Sequence, residues 1–146
     1  MNKFLSQRYI FVFGVLLITI YLVYGYSIGQ AAKMVMTSAF EAEAYAVNNP
    51  YSDIISDENY NKMVINGSEF YRTYDGYAEN RFKFPFVLHW FSGAVVWIGF
   101  ENKYYFFEDD FVQYDVGRSV KFICKYQDGK WHIMDCDLIG TNLLPG

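Results

Sequence analysis

The pattern of apolar and polar positions changes near residue 26, where a continuous apolar run gives way to mixed apolar and polar residues. Residues 9–26 contain no charged side chain, and Thr19 is their only aliphatic polar residue. As an α-helix this run would rise about 27 Å, at about 1.5 Å per residue, which is close to the hydrocarbon thickness of a bilayer. The pattern therefore predicts a transmembrane helix over residues 9–26, preceded by a short N-terminus of residues 1–8.

A second helix is predicted directly after this run, over residues 27–47. The segment is rich in Ala, Met and Glu, and apolar residues recur at spacings of three and four, which gives one face that can pack on a sheet. The residues of this face are Ile28, Ala32, Val35, Met36, Ala39 and Phe40. We expect the helix to continue from the membrane segment and to end before Pro50, because the residue before a proline avoids the helical region.

A shorter helix is predicted over residues 57–64. Ser56 is a suitable N-cap, and Asp57 and Glu58 fall in the first turn, where carboxylates favour the helix dipole. Asn66 and Gly67 are predicted to end it. Residues 68–79 fit either a strand or a third short helix.

The remaining chain alternates as antiparallel strands do. The predicted elements are an edge strand interrupted at Pro85, a hairpin of 94–100 and 104–107 about a turn at 101–103, one long strand or two within 111–126, and a last strand over 131–139. The fold class predicted is α+β: a transmembrane helix, then one long and one or two short helices packed on a curved antiparallel sheet of four to six strands. This domain spans residues 27–140, and residues 141–146 form a tail.

Charge sets the expected orientation in the membrane. Lys3 and Arg8 precede the apolar run, whereas all 16 acidic residues lie downstream with the other 10 basic residues, which gives the remainder a net charge of −6. The positive-inside tendency places the N-terminus in the cytoplasm and the domain on the extracytoplasmic side, periplasmic or extracellular. A net negative domain argues against nucleic acid as a partner.

A cleaved signal peptide is the alternative explanation of the N-terminus. Small residues between positions 25 and 31 offer three cleavage sites. The apolar run exceeds the roughly 7–15 residues typical of a signal peptide, so we favour an uncleaved signal anchor over a secreted protein.

The two cysteines are predicted to remain unpaired. An extracytoplasmic location favours a disulfide. If Tyr126 lies opposite Trp131 in a hairpin with Asp-Gly at its tip, however, regular pairing puts Cys136 opposite Lys121, and the thiols of Cys124 and Cys136 fall on opposite faces of the sheet.

The last hairpin resembles a known family. An aromatic-rich strand over 122–126, followed by Asp-Gly-Lys-Trp at 128–131 and an apolar strand, resembles the end of nuclear transport factor two-like domains, which have a cone-shaped, cystatin-like α+β fold. The order of elements over residues 30–140 is similar as well. The single-span plan resembles assembly subunits of type IV secretion machines and, in part, type IV pilins. Residues 6–11 lack the Gly-Phe processing site of pilins.

The strongest candidates for chemistry are Asp135 and Asp137, which a regular strand places on the same face as Trp131 and Ile133. If that face lines the mouth of a cone, as the resemblance implies, the two carboxylates could act as general bases or bind a cation. Solvent exposure of the strand end is the alternative. His89 is a third pocket candidate. The sequence has no nucleophile elbow, zinc-ligand spacing or phosphate-binding loop, so we expect no cofactor and no metal.

Aromatic residues make up 21% of the chain, more than one inward face needs. Residues 104–107 are aromatic in succession, so some rings must lie on each face of a strand. Either the helices and the interior of the cone cover them, or part of them forms a partner surface. The candidates for that surface are Trp90, Trp97, Tyr104, Tyr105 and Phe107.

These observations predict a binding role more readily than an enzymatic one. The function expected is that of a single-pass membrane protein whose extracytoplasmic domain binds another envelope or membrane protein, as an assembly accessory factor. The alternative is a small-ligand or hydrolase- or isomerase-like pocket of the cone-shaped fold.

Overall fold

The computed structural model of the chain describes residues 3–42, 48–73, 76–106 and 112–140. The elements, in chain order, are helices α1 (Lys3–Phe40) and α2 (Asp57–Thr73) and strands β1 (Gly76–Phe82), β2 (Phe86–His89), β3 (Gly93–Phe106), β4 (Val112–Gln127) and β5 (Lys130–Ile139). The strands form one curved, open antiparallel sheet. The predicted α+β fold, with a long N-terminal apolar helix and a sheet of four to six strands, is confirmed.

Helix α1 continues without a break from the apolar segment into the domain. The predicted apolar stripe is confirmed, because all six of its residues are buried: Ile28, Ala32, Val35, Met36, Ala39 and Phe40. The helix ends at Phe40, and residues 43–47, over which it was predicted to continue, lie outside the described residues. Within the described part of the chain, α1 from Arg8 to Phe40 is the one helix long and apolar enough to cross a membrane.

Helix α2 begins where the sequence predicts. The Ser56 Oγ accepts a hydrogen bond from the backbone N–H of Asn59 at 3.3 Å, which confirms the N-cap. The predicted end at Asn66 and Gly67 is wrong, since α2 runs on to Thr73. A glycine inside a helix costs only about 1 kcal/mol relative to alanine.

Packing of the first half of α2 outweighs that penalty. Tyr60, Met63 and Val64 are each at most 2% exposed in the core. Burial of a large apolar side chain stabilises by about 1.5–3 kcal/mol, so the helix is held by tertiary contacts rather than by propensity.

The sheet has the order β1-β3-β4-β5, and β2 pairs with the same long strand β3 as β1 does. The break between β1 and β2 contains Pro85, as predicted for an interrupted edge. The predicted hairpin within 94–107 is wrong, because β3 is continuous through residues 101–103. Those residues pair with β1, and an irregularity in the pairing of β3 with β4 lies between Phe100 and Asn102. The polar residues therefore lie within a strand, opposite an extra residue of β4, and not in a turn.

The last hairpin has the predicted turn. Asp128 and Gly129 have φ of 51° and 81°, as a two-residue type I′ turn requires, and Tyr126 pairs with Trp131. Further along, the register shifts between Ile123 and Cys124, so that Met134 is an extra residue in β5.

This bulge overturns the predicted faces of the cysteines. Cys136 pairs with Phe122 rather than Lys121, and both Cys136 and Cys124 are buried on the core side. The cysteines are free, as expected. The physical reason is that one inserted residue exchanges the two faces of a strand beyond it.

Both helices cover one face of the sheet, and the core lies between them and the strands. The Phe40 ring packs edge-on against Phe100 and Phe82, at centroid distances of 5.0 and 5.7 Å. The loop before α2 is fixed by buried Asn49, whose Nδ2 donates to the Ile55 carbonyl at 3.0 Å. We call the opposite face of the sheet, away from the helices, the outer face.

Candidate functional site

The carboxylates of Asp135 and Asp137 lie on one side of β5, but not on the side predicted. Because Met134 is bulged, Asp135 pairs with Ile123 and lies on the face opposite Ile133. The prediction that the two carboxylates share a face with Trp131 and Ile133 is therefore wrong. They belong to the outer face at the edge strand of the sheet.

These carboxylates form an ion cluster with Lys62 of α2. The Lys62 Nζ lies 3.0 Å from the Asp137 Oδ1 and 4.0 Å from the Asp135 Oδ1. The hydrogen bond that Lys62 donates to Asp137, helped by the charge of both carboxylates, raises the pKa of Lys62. All three side chains are about half exposed, so the arrangement connects α2 to β5 at the surface rather than enclosing a pocket.

His89 packs against α1 at the other side of the sheet. Its ring stacks on that of Tyr21, with centroids 3.9 Å apart, and its Nε2 lies 2.8 Å from the Tyr21 carbonyl oxygen. A carbonyl only accepts, so Nε2 carries a proton and donates. Two strands separate β2 from β5, and His89 is therefore not brought together with Asp135 and Asp137.

Two glycines of α1 permit the close approach of β2. A Cβ at Gly29 would lie 2.9 Å from the Pro85 Cβ, and a Cβ at Gly25 would lie 3.3 Å from the His89 Cδ2. Their spacing of four places both on one helix face. This contact was not predicted, although the sequence holds a signal for it: the small residues at positions 25 and 29 have a spacing that allows close approach to a helix.

An apolar groove runs between α1 and the chain entering β2. Its volume is about 670 Å³, and it is lined by residues 21–30 of the helix and by residues 84–87. The Phe84 ring stacks near that of Tyr26 at a centroid distance of 6.2 Å. The groove lies at the base of the domain, where α1 leaves it.

The outer face of the sheet carries a contiguous apolar patch across β2, β3 and β4. We call it the outer patch, and its residues are Phe86, Leu88, Val95, Trp97 and Ile123. Cross-strand pairing makes it continuous, because Leu88 pairs with Val95 and Val95 with Ile123, while Phe86 pairs with Trp97. Phe86 is 61% exposed and Leu88 is 48% exposed.

The predicted interface aromatics lie in several environments. Trp90 is exposed in the turn between β2 and β3, and Trp97 packs on Phe86 within the outer patch at a centroid distance of 5.7 Å. Tyr105 lies half-buried beneath the Lys103 ammonium. Tyr104 is buried, with its hydroxyl 2.8 Å from the Asn102 Nδ2, which removes it from the surface. Phe107 lies outside the described residues.

The described thiols and carboxylates do not assemble into a reactive centre. Burial raises the pKa of Cys124 to about 12 and that of Cys136 to about 11, which keeps both thiols protonated at neutral pH. Within the described ranges, no group of three or more His, Cys, Asp or Glu side chains could hold a metal ion.

No family model, curated protein or solved structure matches this chain. Apart from the exposed apolar part of α1, the outer patch and the base of the domain beside α1 both expose large apolar side chains.

Proposed function

We propose that this chain is a single-pass membrane protein whose domain lies on the extracytoplasmic side and binds another envelope or membrane protein through the outer patch. The observation that carries the proposal is the contiguity of Phe86, Leu88, Val95, Trp97 and Ile123 on the sheet face opposite the helices. Lys3 and Arg8 before the apolar run favour a cytoplasmic N-terminus.

The continuity of α1 supports retention of the anchor. The side chains from Tyr9 to Tyr24 are exposed, apart from the intermediate Gly14, whereas burial begins at Gly25. The candidate cleavage sites between residues 25 and 31 lie inside this regular helix, and Ile28 and Gly29 there are buried by the domain. Cleavage would remove part of the surface on which β2 packs.

The composition of the outer patch supports a protein partner. Contiguous apolar surface is rare on soluble monomers unless it serves binding, and tryptophan is enriched where interfaces bind most strongly. Lys121 pairs with Trp97 on one side and with Asp137 on the other, so charged side chains border the patch as they border interface cores.

The tether indicates which kind of partner is favoured. A domain whose base is continuous with a membrane helix is held close to the bilayer, and this raises its effective concentration toward other membrane-bound proteins. The separation of His89 from Asp135 and Asp137 also supports binding over catalysis.

In-membrane crosslinking tests the proposal. A photoreactive phenylalanine analogue replaces Ile123 in the full chain, and the matched control carries it at Glu58, which is exposed on α2. We expect a heavier adduct from position 123 but not from position 58. The change Leu88→Glu, which is separated from the labelled position by Val95, should reduce that adduct strongly because it puts a charge into the patch.

Two results would contradict the proposal. One is equal crosslinking from positions 123 and 58, which would show non-specific encounters. The other is an adduct of twice the chain mass alone, which would make the partner a second copy rather than another protein.

A further inference from the structure

Strand β2 lies along α1 in the antiparallel direction. Pro85 approaches Gly29, Val87 lies between the two glycines, and His89 contacts Gly25 and Tyr21. Four strand residues extend about 13 Å and eight helical residues about 12 Å, so the two axes run nearly side by side. Each residue of β2 therefore lies about 3 Å nearer the N-terminal end of α1 than the residue before it.

The level of His89 can be compared with the expected edge of the hydrocarbon. After Arg8 the next charged residue of α1 is Lys33. A hydrocarbon core about 30 Å thick takes about 20 helical residues, so a span beginning at Tyr9 ends near Ile28. Tyr21, on which His89 stacks, is then about 10 Å inside that edge, and a span ending at Tyr26 still places it about 7 Å inside.

A shallower position of the helix is disfavoured. Raising Tyr21 to the hydrocarbon edge would move α1 by about five residues and draw Arg8 about 7 Å into the apolar layer. Charged side chains within the hydrocarbon are costly, by about 2.5–3.5 kcal/mol at the centre. Arg8 thus limits how far α1 can be raised out of the bilayer.

The turn after β2 continues past His89 toward the same leaflet. It carries Trp90, which is 56% exposed, and Phe91, which is fully exposed. Tyr21, Tyr24 and Tyr26 of α1 follow from there toward the domain over about 7 Å. Tryptophan and tyrosine are enriched near membrane–water interfaces.

Basic and polar side chains lie at the level of this turn. Lys125 pairs with Gly93 at the start of β3 and is exposed, and the backbone N–H of Tyr126 donates to the Ser92 carbonyl at 2.9 Å. The end of β4 is therefore held beside the turn, at the same level. The long apolar stem of a lysine here can carry its ammonium up to the phosphate headgroups.

We propose that the turn between β2 and β3, with Trp90 and Phe91, inserts into the leaflet beside α1, so that the domain contacts lipid directly as well as being tethered. This inference rests on the proposed membrane anchoring. The occupant is the lipid of the bilayer, because the turn directly follows His89, which stacks on the exposed Tyr21 of α1, and so lies at the level of the predicted span. By the spacing of strand residues, Trp90 lies about 3 Å past His89 and so about 10–13 Å inside the edge, at or just below the 5–10 Å to which interfacial segments bury.

Depth-dependent fluorescence quenching of the full chain in phosphatidylcholine vesicles tests the insertion. Trp97→Phe with Trp131→Phe leaves Trp90 as the reporter, and Trp90→Phe with Trp131→Phe leaves Trp97 as the matched control. Trp97 pairs with Phe86, about 13 Å farther from the turn. We expect lipids brominated on their acyl chains to remove most of the Trp90 emission and little of that from Trp97.

A reference on the anchor separates failure of this inference from failure of anchoring. Leu16→Trp with all three native tryptophans changed to Phe reports on the predicted span. If this reporter is quenched while Trp90 is open to aqueous acrylamide, the insertion is wrong and the anchor stands. If this reporter is not quenched, the anchor is wrong and the insertion fails with it.

A second reporter and one further quenching outcome complete the test. Phe91→Trp, with the native tryptophans changed to Phe, repeats the measurement at a fully exposed position where a change of packing is minimal. Quenching of this reporter by bromolipid supports insertion. Shielding of Trp90 from both bromolipid and acrylamide would instead place a protein against the turn and overturn the proposal.

Discussion

One inserted residue, Met134, decides where the functional groups of β5 lie. Without it, Cys136 would face outward and the carboxylates of Asp135 and Asp137 would face the core side. With it, Cys136 is 2% exposed and the carboxylates reach Lys62 at the surface. Regular alternation along β5 predicts neither the burial of Cys136 nor the outward carboxylates, because the residues before Met134 give no sign of the bulge.

The thiols give a prediction at the scale of single residues. Because the pKa of Cys124 is raised to about 12 and that of Cys136 to about 11, both should react slowly with iodoacetamide at pH 8 in the folded chain. Unfolding in guanidinium should release two thiols that react many times faster, and raising the pH toward 11 should speed Cys136 before Cys124. Mass spectrometry of the alkylated chain measures this.

The unfolded chain is the control for that measurement. Two unreactive sulfurs after unfolding without reductant would mean a disulfide and would contradict the free thiols. Fast alkylation of the native chain at pH 8 would contradict their burial.

At the scale of elements, α1 serves both as candidate span and as core helix, and β2 connects the two roles. The second half of α1 buries the apolar stripe under the sheet, and the glycines at 25 and 29 let β2 extend along the helix toward Tyr21. Removing the space at Gly29 should therefore disturb the contact between helix and strand more than any change on the exposed part of the helix.

The change Gly29→Ala tests this contact. Its Cβ would meet the Pro85 ring, which cannot rotate away, so we expect a loss of about 1–3 kcal/mol of stability, as for other overpacked sites. Gly14→Ala is the matched control, because nothing lies within 4 Å of its added Cβ. It should be neutral or stabilising by about 1 kcal/mol or less.

Chemical denaturation of both variants in the same detergent provides the comparison. Equal midpoints for Gly29→Ala and Gly14→Ala would show that β2 does not depend on the close approach. A lower midpoint for Gly29→Ala alone is the expected result.

The sequence predicted elements better than their contacts. The apolar run, the buried stripe of α1, the cap at Ser56 and the turn at Asp128 follow from local patterns and were found as predicted. The end of α2 and the continuity of β3 depend on packing and on pairing with β1, which no local pattern encodes. The same holds for the candidate site residues, because His89 was predicted from the sequence but its contact with Tyr21 of α1 was not.

At the scale of the whole molecule, the proposed orientation predicts an intact N-terminus in the cytoplasm. Intact-mass analysis of the purified chain should find residues 1–27 retained. In sealed right-side-out vesicles, added protease should digest the domain and leave an N-terminal tag protected.

Vesicles opened with detergent are the control, in which the tag should also be lost. A mature species that begins near residue 28 or 32 would contradict the anchor. Protection of the domain with loss of the tag would reverse the orientation.

The unbroken course of α1 from Lys3 to Phe40 has a mechanical consequence. No hinge separates the part proposed to lie in the bilayer from the part buried under the sheet, so the domain rotates rigidly with the span. Residues 25–40 extend about 22 Å, and a tilt of about 10° would move their far end sideways by about 4 Å. In the proposed membrane topology, a change of helix angle inside the bilayer would therefore displace the far edge of the sheet, with the pivot at the level of Gly25.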